Sequence, residues 1–160
     1  MEEIYKEYSK IVYNYLLSLT CNSGLAEELM QETFYSAVKN INKFRNECSM
    51  KTWLCRIAKN KWIDYLKKAN ISSEVSIDEI EEKFILVNSF EEEFSNKENV
   101  IDLYKKIHKF DEKTREVIYL RIRADLSFKE IGEIMGETEN WARVTFYRAK
   151  VKLKEEFDNE

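Results

Sequence analysis

The second half of the chain contains a stretch whose residue types suit contact with a nucleic acid. It spans residues 126–153 and places a glycine turn between two short segments of helical character. Five basic side chains follow Trp141 with no acid among them: Arg143, Arg148, Lys150, Lys152 and Lys154. Such cations neutralise phosphates, and the second helix of a helix-turn-helix carries them into the DNA major groove. The alternative is an ordinary antiparallel helix pair with a solvated basic face.

Local signals set the ends of these two helices. Ser127 and Glu130 form an S-x-x-E capping box that begins the first helix. Gly136 follows its last apolar residue, where a left-handed residue ends a helix at low cost. Thr138 can cap the second helix. One apolar face is predicted for the first helix, with the members Phe128, Ile131, Ile134 and Met135.

A second basic segment, residues 39–68, is rich in aromatic side chains. It holds nine Lys or Arg against two acids, a net charge of +7. Its predicted helix, residues 50–68, carries the aromatic side chains Trp53, Trp62 and Tyr65. Cations follow a phosphate backbone while aromatic faces receive unstacked bases, so the segment suits a single-stranded or melting nucleic acid. Trp53 also falls on an apolar stripe and fits a helix core, and Trp62 stays open between core and surface.

The acidic total charge hides these basic segments. The whole chain carries a net charge of −4, but residues 70–99 alone contribute −7. The stretch from Arg143 to Lys154 contributes +5. Surface potential is local, so an acidic segment between two basic ones indicates that the segments have different functions. The net charge alone does not describe any of them.

The sequence gives little support for catalysis. His108 has no carboxylate three residues before it, which argues against a di-iron site in a helical bundle. No glycine-rich phosphate loop or nucleophile elbow is present. Cys21, Cys48 and Cys55 match no zinc spacing and are interpreted as reduced thiols, with Cys55 in the core. We therefore expect no metal, no cofactor and no enzymatic activity.

The helical spacing of apolar residues and the scarcity of proline and glycine predict an all-α fold. The 160 residues include no proline and three glycines. Helices are predicted over 2–20, 25–39 and 50–68, with two more beginning near Asn99 and after Asp111, followed by the helix-turn-helix. This gives an N-terminal helical bundle over 1–69, an acidic linker over 70–98 and a C-terminal helix-turn-helix domain over 99–160. The first residues are acidic and lack the charged and apolar regions typical of a signal peptide, and no apolar run reaches roughly 18 residues, so we expect a cytoplasmic protein.

The predicted second helix has an acidic outer face. Its apolar stripe comprises Leu29, Met30, Phe34, Ala37 and Val38, and its other face carries Glu27, Glu28, Gln31 and Glu32. A solvated face is one interpretation. A docking surface for a basic partner helix is the other, because charged patches steer association and fix register.

Taken together, these residues resemble the extracytoplasmic-function group of bacterial RNA polymerase sigma factors. Residues 26–37 (AEELMQETFYSA) resemble the polymerase-binding motif of the family's region two. Residues 44–66, including WLCRIAKN and IDYL, resemble its −10 recognition helix, and residues 113–152 resemble region four. The similarity covers nearly the whole chain in the right order, with a linker and no region three.

The resemblance implies roles at the matching positions. Glu28, Gln31 and Glu32 would dock on the clamp helices of the largest subunit of core RNA polymerase. The −10 DNA, with a flipped base, would be bound by Phe44, Arg45, Asn46, Glu47, Ser49, Arg56, Asn60 and Lys61. The −35 major groove would be read by Asn140, Trp141, Arg143, Val144, Tyr147 and Arg148. The acidic linker would enter the RNA path of the polymerase.

The resemblance also implies partners and shows departures from the family. The implied partners are core polymerase, promoter DNA and an anti-sigma factor, which in one alternative is anchored in the membrane. The chain itself is not expected to insert into a membrane. Glu137 stands at a usually apolar position, Trp141 replaces a small hydroxyl residue, and Gly132 takes the place of an alanine. An autonomous helix-turn-helix regulator remains the alternative function, and a helical enzyme is a third class.

Overall fold

The computed structural model describes residues 1–70 and 97–159, with side chains described for 1–70 and 101–159. Regular structure in these ranges is helical, in agreement with the all-α prediction. The described α-helices are α1 (Glu2–Thr20), α2 (Ser23–Asn40), α3 (Met50–Ala69), α4 (Lys97–His108), α5 (Glu112–Ile122), α6 (Phe128–Met135) and α7 (Glu139–Asp158). A short 3-10 helix spans Ile41–Lys43. Residues 71–96, which hold most of the predicted linker, lie outside the described residues.

Helices α1–α3 form an N-terminal bundle whose turns are set by short polar residues. Cys21 takes a left-handed conformation with φ 49° and ends α1. The next residue, Asn22, caps α2 by accepting a hydrogen bond from the Leu25 amide at 3.0 Å. Ser49 caps α3 in the same way, through the Thr52 amide at 3.1 Å. The tight turn after α1 makes α1 and α2 neighbours and turns the outer face of α2 to solvent.

Helices α4–α7 form a C-terminal bundle that ends in the predicted helix-turn-helix, α6 and α7. The capping box of Ser127 and Glu130 is confirmed in both directions. Gly136 ends α6 with φ 69°, a conformation that costs glycine little. Thr138 then caps α7 by accepting from the Trp141 amide at 3.0 Å. Asp111 caps α5, and the hydrogen bonds it accepts from Thr114 hold the pKa of its carboxyl below the usual range.

The crossing of α6 and the turn before α7 leaves no room for a side chain at Gly132. A Cβ atom there would lie 2.8 Å from the carbonyl oxygen of Glu137 and 2.9 Å from the carbonyl carbon of Thr138. Both neighbours are backbone atoms, so relief requires the helices to shift. The alanine expected at this position from the family resemblance would therefore not fit in this chain without such a shift.

The two bundles pack directly on each other. One contiguous core includes Leu54 and Cys55 of α3 together with Val117 of α5 and Ile131 of α6, all fully buried. A second, smaller cluster joins Cys21 at the end of α1 to C-terminal residues such as Tyr119. Two separate domains were predicted from the sequence, and the core that they share was not.

Two positions on the predicted apolar stripes differ from expectation. Val38 was placed on the inward stripe of α2, but its side chain is 49% exposed, so that prediction was wrong. The inward stripe ends at Ala37, and Val38 continues the outer line of Gln31 and Tyr35 at helical spacing. Trp62, left open before, is buried at 8% exposure.

Candidate nucleic-acid and protein interfaces

The outer face of α2 presents the three predicted docking residues side by side. Glu28, Gln31 and Glu32 are all exposed, while Thr33 and Phe34 on the opposite side are buried. Spacings of three and four residues put the exposed polar groups on one face of the helix. This face can offer several carboxylates to a basic partner without disturbing the core.

Sequence reasoning missed an apolar extension of that acidic face. Tyr35 is 65% exposed and follows Gln31 by four residues, and Val38 follows Tyr35 by three. The Lys39 ammonium lies 5.0 Å from the centre of the Tyr35 ring. An exposed tyrosine beside carboxylates is typical of protein interfaces, where aromatic residues often supply much of the binding energy. Continuing the i, i+4 spacing beyond Gln31 would have found it.

The loop before α3 and the first turns of that helix enclose an open pocket of about 420 Å³. Phe44 and Trp53 both line it, and their ring centres lie 5.0 Å apart at an interplanar angle of 38°. The lining comprises Lys43, Phe44, Arg45, Glu47, Cys48, Trp53, Arg56 and, from α6, Glu133. Aromatic faces and two guanidinium groups can take an unstacked base and its phosphate.

Four of the eight predicted −10 residues line this pocket, and the others lie around it. Asn46 holds the loop in a left-handed conformation with φ 57°. Asn60 is exposed one turn beyond Arg56 on the same side of α3, and Lys61 next to it is half-buried. Ser49, exposed, serves as the cap of α3.

Four pocket residues were not predicted as site residues: Lys43, Cys48, Trp53 and Glu133. Trp53 had been assigned mainly to the core, yet it is only half-buried and its ring meets Phe44. Burial raises the pKa of the Cys48 thiol, which disfavours a reactive thiolate. Trp62, in contrast, stacks on Tyr65 at 5.8 Å inside the fold, so it offers no free face to a base.

The predicted −35 residues lie on α7, the second helix of the helix-turn-helix. Asn140, Arg143, Tyr147 and Arg148 are exposed, whereas Trp141 and Val144 are half-buried. The Arg143 guanidinium pairs with the Glu139 carboxylate at 2.9 Å. The exposed members can contact DNA, and the two half-buried ones also take part in packing the helix.

The unusual residues near the turn compensate each other. Glu137 pairs with the Lys113 ammonium of α5 at 3.3 Å, and the same ammonium lies 5.9 Å from the Trp141 ring centre. At the start of α7, the Lys113–Glu137 ion pair therefore takes the place of the apolar contact that the family resemblance led us to expect. That arrangement ties α7 to α5 through charge, so the helix-turn-helix keeps its geometry in spite of the departure.

Polar contacts between the bundles concentrate on one side of α3. The Ser49 hydroxyl donates to Glu130 Oε1 at 2.9 Å, and the Arg56 guanidinium donates to the Glu133 carbonyl oxygen at 3.0 Å. Lys59 pairs with the Glu116 carboxylate at 3.1 Å. Although partial burial opposes it, hydrogen bonds from Ser127 and Ser49 lower the pKa of the Glu130 carboxyl.

The described residues offer no grouping suited to metal chemistry. No cluster of three or more His, Cys, Asp or Glu side chains there could hold a metal ion. His108 lies against the Arg115 guanidinium, with Nδ1 3.1 Å from its Nη1. None of the described helices is both long and apolar enough to cross a membrane.

Comparison with known proteins gives consistent matches over most of the chain. The family model described as sigma-70 region 2 matches residues 4–71. The ECF RNA polymerase sigma factor SigM of Bacillus subtilis is 32% identical over 154 residues, covering 96% of this chain and 93% of SigM. The B. subtilis sigma factor YlaC is 28% identical and is covered to 90%.

Two solved structures share the fold at low sequence identity. The sigma factor RpoE of Bartonella quintana, solved with the anti-sigma factor NepR, aligns with a TM-score of 0.69 at 18% identity over 97% of this chain and 96% of that one. CnrH, solved with the cytosolic domain of CnrY, aligns at 0.70 and 18% identity over 99% and 88%. The helical arrangement, the surfaces on α2, α3 and α7 and the extent of the sequence match lead to one conclusion: the chain belongs to the ECF family of RNA polymerase sigma factors.

Proposed function

We propose that three surfaces of this sigma factor divide promoter recognition among them. The acidic face of α2 docks on the clamp helices of core RNA polymerase. The pocket between the loop and α3 takes a flipped base of the melted −10 element, and the exposed face of α7 enters the −35 major groove. The observation that carries this proposal is the pocket of about 420 Å³, because it combines paired aromatic rings with cations at its edge.

The composition of the pocket favours a single strand over a closed duplex. A base inside a duplex has its faces covered by its neighbours, so it cannot reach an aromatic floor without leaving the stack. Phe44 and Trp53 supply two aromatic rings to the pocket lining, and Arg45 and Arg56 add guanidinium groups that can pair with a phosphate. Base stacking on an aromatic ring contributes roughly 1–3 kcal/mol, which offsets part of the cost of unstacking.

The proposal that α2 docks on the polymerase is supported by the exposure of its outer face and by the acidic and aromatic side chains on that face. Glu28, Gln31 and Glu32 face solvent on a helix whose other side is buried, and Tyr35 adds an exposed aromatic ring at the end of the row. A basic helix of the polymerase would meet carboxylates first and then an apolar anchor. Such an arrangement steers association and fixes the register of the partner.

An anti-sigma factor is the further partner we propose. RpoE of B. quintana and CnrH, which share this fold, were solved with the anti-sigma factor NepR and with the cytosolic domain of CnrY. By this analogy the chain acts in the cytoplasm, has no catalytic activity of its own and is held inactive by a partner that can itself be membrane-anchored.

Transcription in vitro tests the proposal directly. The chain is added to core polymerase with a genomic promoter library, and the transcripts identify the promoters used. Arg45→Ala should then lower open-complex formation at these promoters, because the exposed guanidinium lines the pocket. Lys67→Ala, an exposed cation in the last turn of α3, is the matched control and should leave it unchanged. Failure to initiate at any promoter would contradict the proposal.

One second candidate has a specific observation in its favour. The basic side chains Arg143, Arg148 and Lys150 of α7 are exposed to solvent, as an autonomous regulator would need. Such a regulator would bind duplex promoter DNA tightly by itself and would gain nothing from core polymerase. A gel-shift titration with and without core polymerase separates the two functions.

A further inference from the structure

The side of α7 that carries Arg143 and Tyr147 lies against an aromatic ring of α6. The ring belongs to Phe128, the first residue of α6, which is 9% exposed. Its centre lies 5.7 Å from the centre of the Tyr147 ring and 5.6 Å from the guanidinium carbon of Arg143. Arg143 and Tyr147 are four residues apart, so they project from the same side of α7. These two exposed side chains therefore share one buried neighbour.

The distances around Phe128 are those at which aromatic rings and guanidinium groups attract each other. Aromatic pairs are favourable at centre-to-centre distances of about 4.5–7 Å, and a guanidinium is attracted to a ring within about 6 Å of its centre. Phe146 completes the cluster, with its ring centre 5.7 Å from that of Phe128 and 5.6 Å from that of Tyr147. The Tyr147 ring thus has two aromatic neighbours although the residue is 49% exposed.

The Arg143 guanidinium has a second partner besides the Phe128 ring. Its Nη2 lies 2.9 Å from Oε1 of Glu139, one turn earlier on α7. A long side chain with two partners populates fewer rotamers than one surrounded by water, so it loses less conformational entropy when it binds DNA. Arginine has five N–H donors, and this side chain is 46% exposed, so donors stay available for a base edge.

Phe128 is itself fixed by its neighbours. Ser127 caps α6 immediately before it, and the capping box with Glu130 sets the backbone at this helix start. Arg121 of α5 places its guanidinium carbon 4.3 Å from the centre of the Phe128 ring. The same guanidinium donates from Nη1 to the Leu126 carbonyl oxygen at 2.8 Å. Arg121 therefore connects α5, the turn before α6 and the ring.

Packing alone does not require an aromatic residue at position 128. A leucine would bury apolar surface at the same helix crossing. It has no π face, however, so it could neither attract the guanidinium groups of Arg121 and Arg143 nor form a ring pair with Tyr147. What the Phe128 ring adds to packing is the orientation of two exposed side chains on α7.

We propose that Phe128 is a positioning residue for −35 recognition: its ring orients Arg143 and Tyr147 toward base edges, and Arg121 holds the ring. Phe128 acts through these two side chains rather than by touching DNA. A mobile arginine can still meet a phosphate, but a base edge is read only in a defined geometry, so the ring acts on sequence preference. The inference deepens the proposed function and rests on the −35 role proposed for α7.

Base preference in the complete holoenzyme tests this role. The chain is combined with core polymerase, and transcription is measured in one reaction from templates that compete with one another. Each template carries the promoter found with the genomic library, with one −35 base pair changed. The ratio between templates gives the base preference and does not depend on the fraction of folded chain. Arg143→Ala and Tyr147→Ala identify the positions that these side chains read.

Phe128→Leu should reduce the preference at those positions by about threefold to tenfold, as expected when one or two side chains must be ordered on binding. Phe128→Tyr keeps the ring and should retain the preference. Ile134→Val removes one methyl group from a buried residue of the same helix, so it is the matched control for lost packing and should also retain it. An equal loss from all templates in Phe128→Leu, with their ratios unchanged, would show a purely structural role and overturn the inference.

A double variant tests whether the effect passes through Arg143. At a position identified with Arg143→Ala, Phe128→Leu should reduce the preference when Arg143 is present and change it little further when Arg143 is already alanine. Effects that multiply independently would contradict the inference, because the ring would then act by another route.

Arg121→Lys covers the case in which Phe128→Leu fails to fold, which circular dichroism checks. Lysine keeps the positive charge, so attraction to phosphates persists, but it lacks the planar group that lies over the ring. The same −35 positions should lose preference by a smaller factor of about twofold. Wild-type preference at all positions in this variant would refute the proposed support of the ring.

The same measurements separate this inference from the function on which it rests. If neither Arg143→Ala nor Tyr147→Ala changes the preference at any −35 position, the −35 surface proposed for α7 is wrong. If either variant changes the preference but Phe128→Leu leaves the same positions unaffected, the −35 surface stands and only the positioning role is wrong.

Discussion

The two surfaces proposed for DNA differ in the contacts that they make within the chain. On α3, the side that carries Ser49 and Arg56 lies against α6. On α7, Asn140, Tyr147 and Arg148 are exposed to solvent. The side of α3 proposed for single-stranded DNA thus has contacts within the chain, and the side of α7 proposed for duplex DNA faces solvent. A change on this side of α3 therefore alters contacts between the two bundles as well as any contact with DNA, whereas a change on the exposed side of α7 need not.

The largest effect should come from the crossing that orients α7. Gly132→Ala would press a Cβ atom to 2.8 Å from the Glu137 carbonyl oxygen, so α6 and α7 must separate. We expect a loss of about 2–3 kcal/mol in the free energy of unfolding, measured by urea denaturation. Gly24→Ala is the matched control: its nearest atom is 3.5 Å away, and stability should hold or rise slightly. Equal stability of both variants would show that the crossing tolerates a side chain.

The open surface on α7 is tested by Arg148→Ala. If the guanidinium contacts a guanine through two hydrogen bonds, the change should weaken DNA binding by roughly 1–3 kcal/mol. It should also reduce the preference for one base at a single −35 position. If it contacts phosphate only, affinity should fall evenly over all sequences with a shallower salt slope. Transcription from a −35-dependent promoter at two salt concentrations distinguishes these cases. Lys154→Ala, near the far end of α7, is the control, and an Arg148→Ala chain as active as wild type at both salts would mean that the surface is misassigned.

The docking face on α2 offers a third, partner-dependent surface for comparison. Glu32→Lys reverses an exposed charge, so affinity for core polymerase should fall by about 1 kcal/mol while the helical spectrum stays intact. Glu155→Lys, an exposed reversal on α7, should leave polymerase affinity unchanged. A pull-down titration with core polymerase measures both. The docking assignment would be abandoned if the two variants bound equally well.

The smallest effect concerns the acid stability of the contacts between α6 and the start of α3. The pKa of Glu130 is lowered in the folded chain, so its charge stabilises the fold above the ordinary value of 4.5 and loses this contribution as the pH falls below it. Glu130→Gln lacks that contribution at every pH. The free energy of unfolding of the wild type should therefore exceed that of the variant by less than about 1 kcal/mol at neutral pH, because the carboxyl of Glu130 is partly exposed. Thermal melts from neutral pH to acid should show the difference shrinking, and a constant difference would argue against the charge.

Local signals made much of the fold predictable from sequence. The predicted limits of α1, α2 and α3 agree with the observed ones within two residues. The capping box of Ser127 and Glu130 and the left-handed Gly136 are confirmed because each depends on neighbours within one turn. The resemblance to sigma factors is confirmed by SigM over nearly the full chain.

Contacts between distant segments could not be obtained in this way. The Lys59–Glu116 pair and the shared core join residues on opposite sides of the undescribed segment 71–96, and no local pattern encodes such a pairing. Trp62 stayed undecided because its burial depends on where the C-terminal bundle sits. At the α3 pocket, Trp53 was assigned mainly to the core because a helical stripe cannot separate an inward ring from one that meets the loop. The residue roles on α2, α3 and α7 stay predictions.

The shared core has a consequence for the order in which the chain is made. Trp62 of α3 lines a cavity together with Tyr119 and Met135, which leave the ribosome much later. A bacterial ribosome adds roughly 5–20 residues per second, so α3 waits for several seconds before α5 and α6 can cover it. A nascent chain therefore passes through a period in which the apolar side of α3 lacks the C-terminal residues that later pack on it.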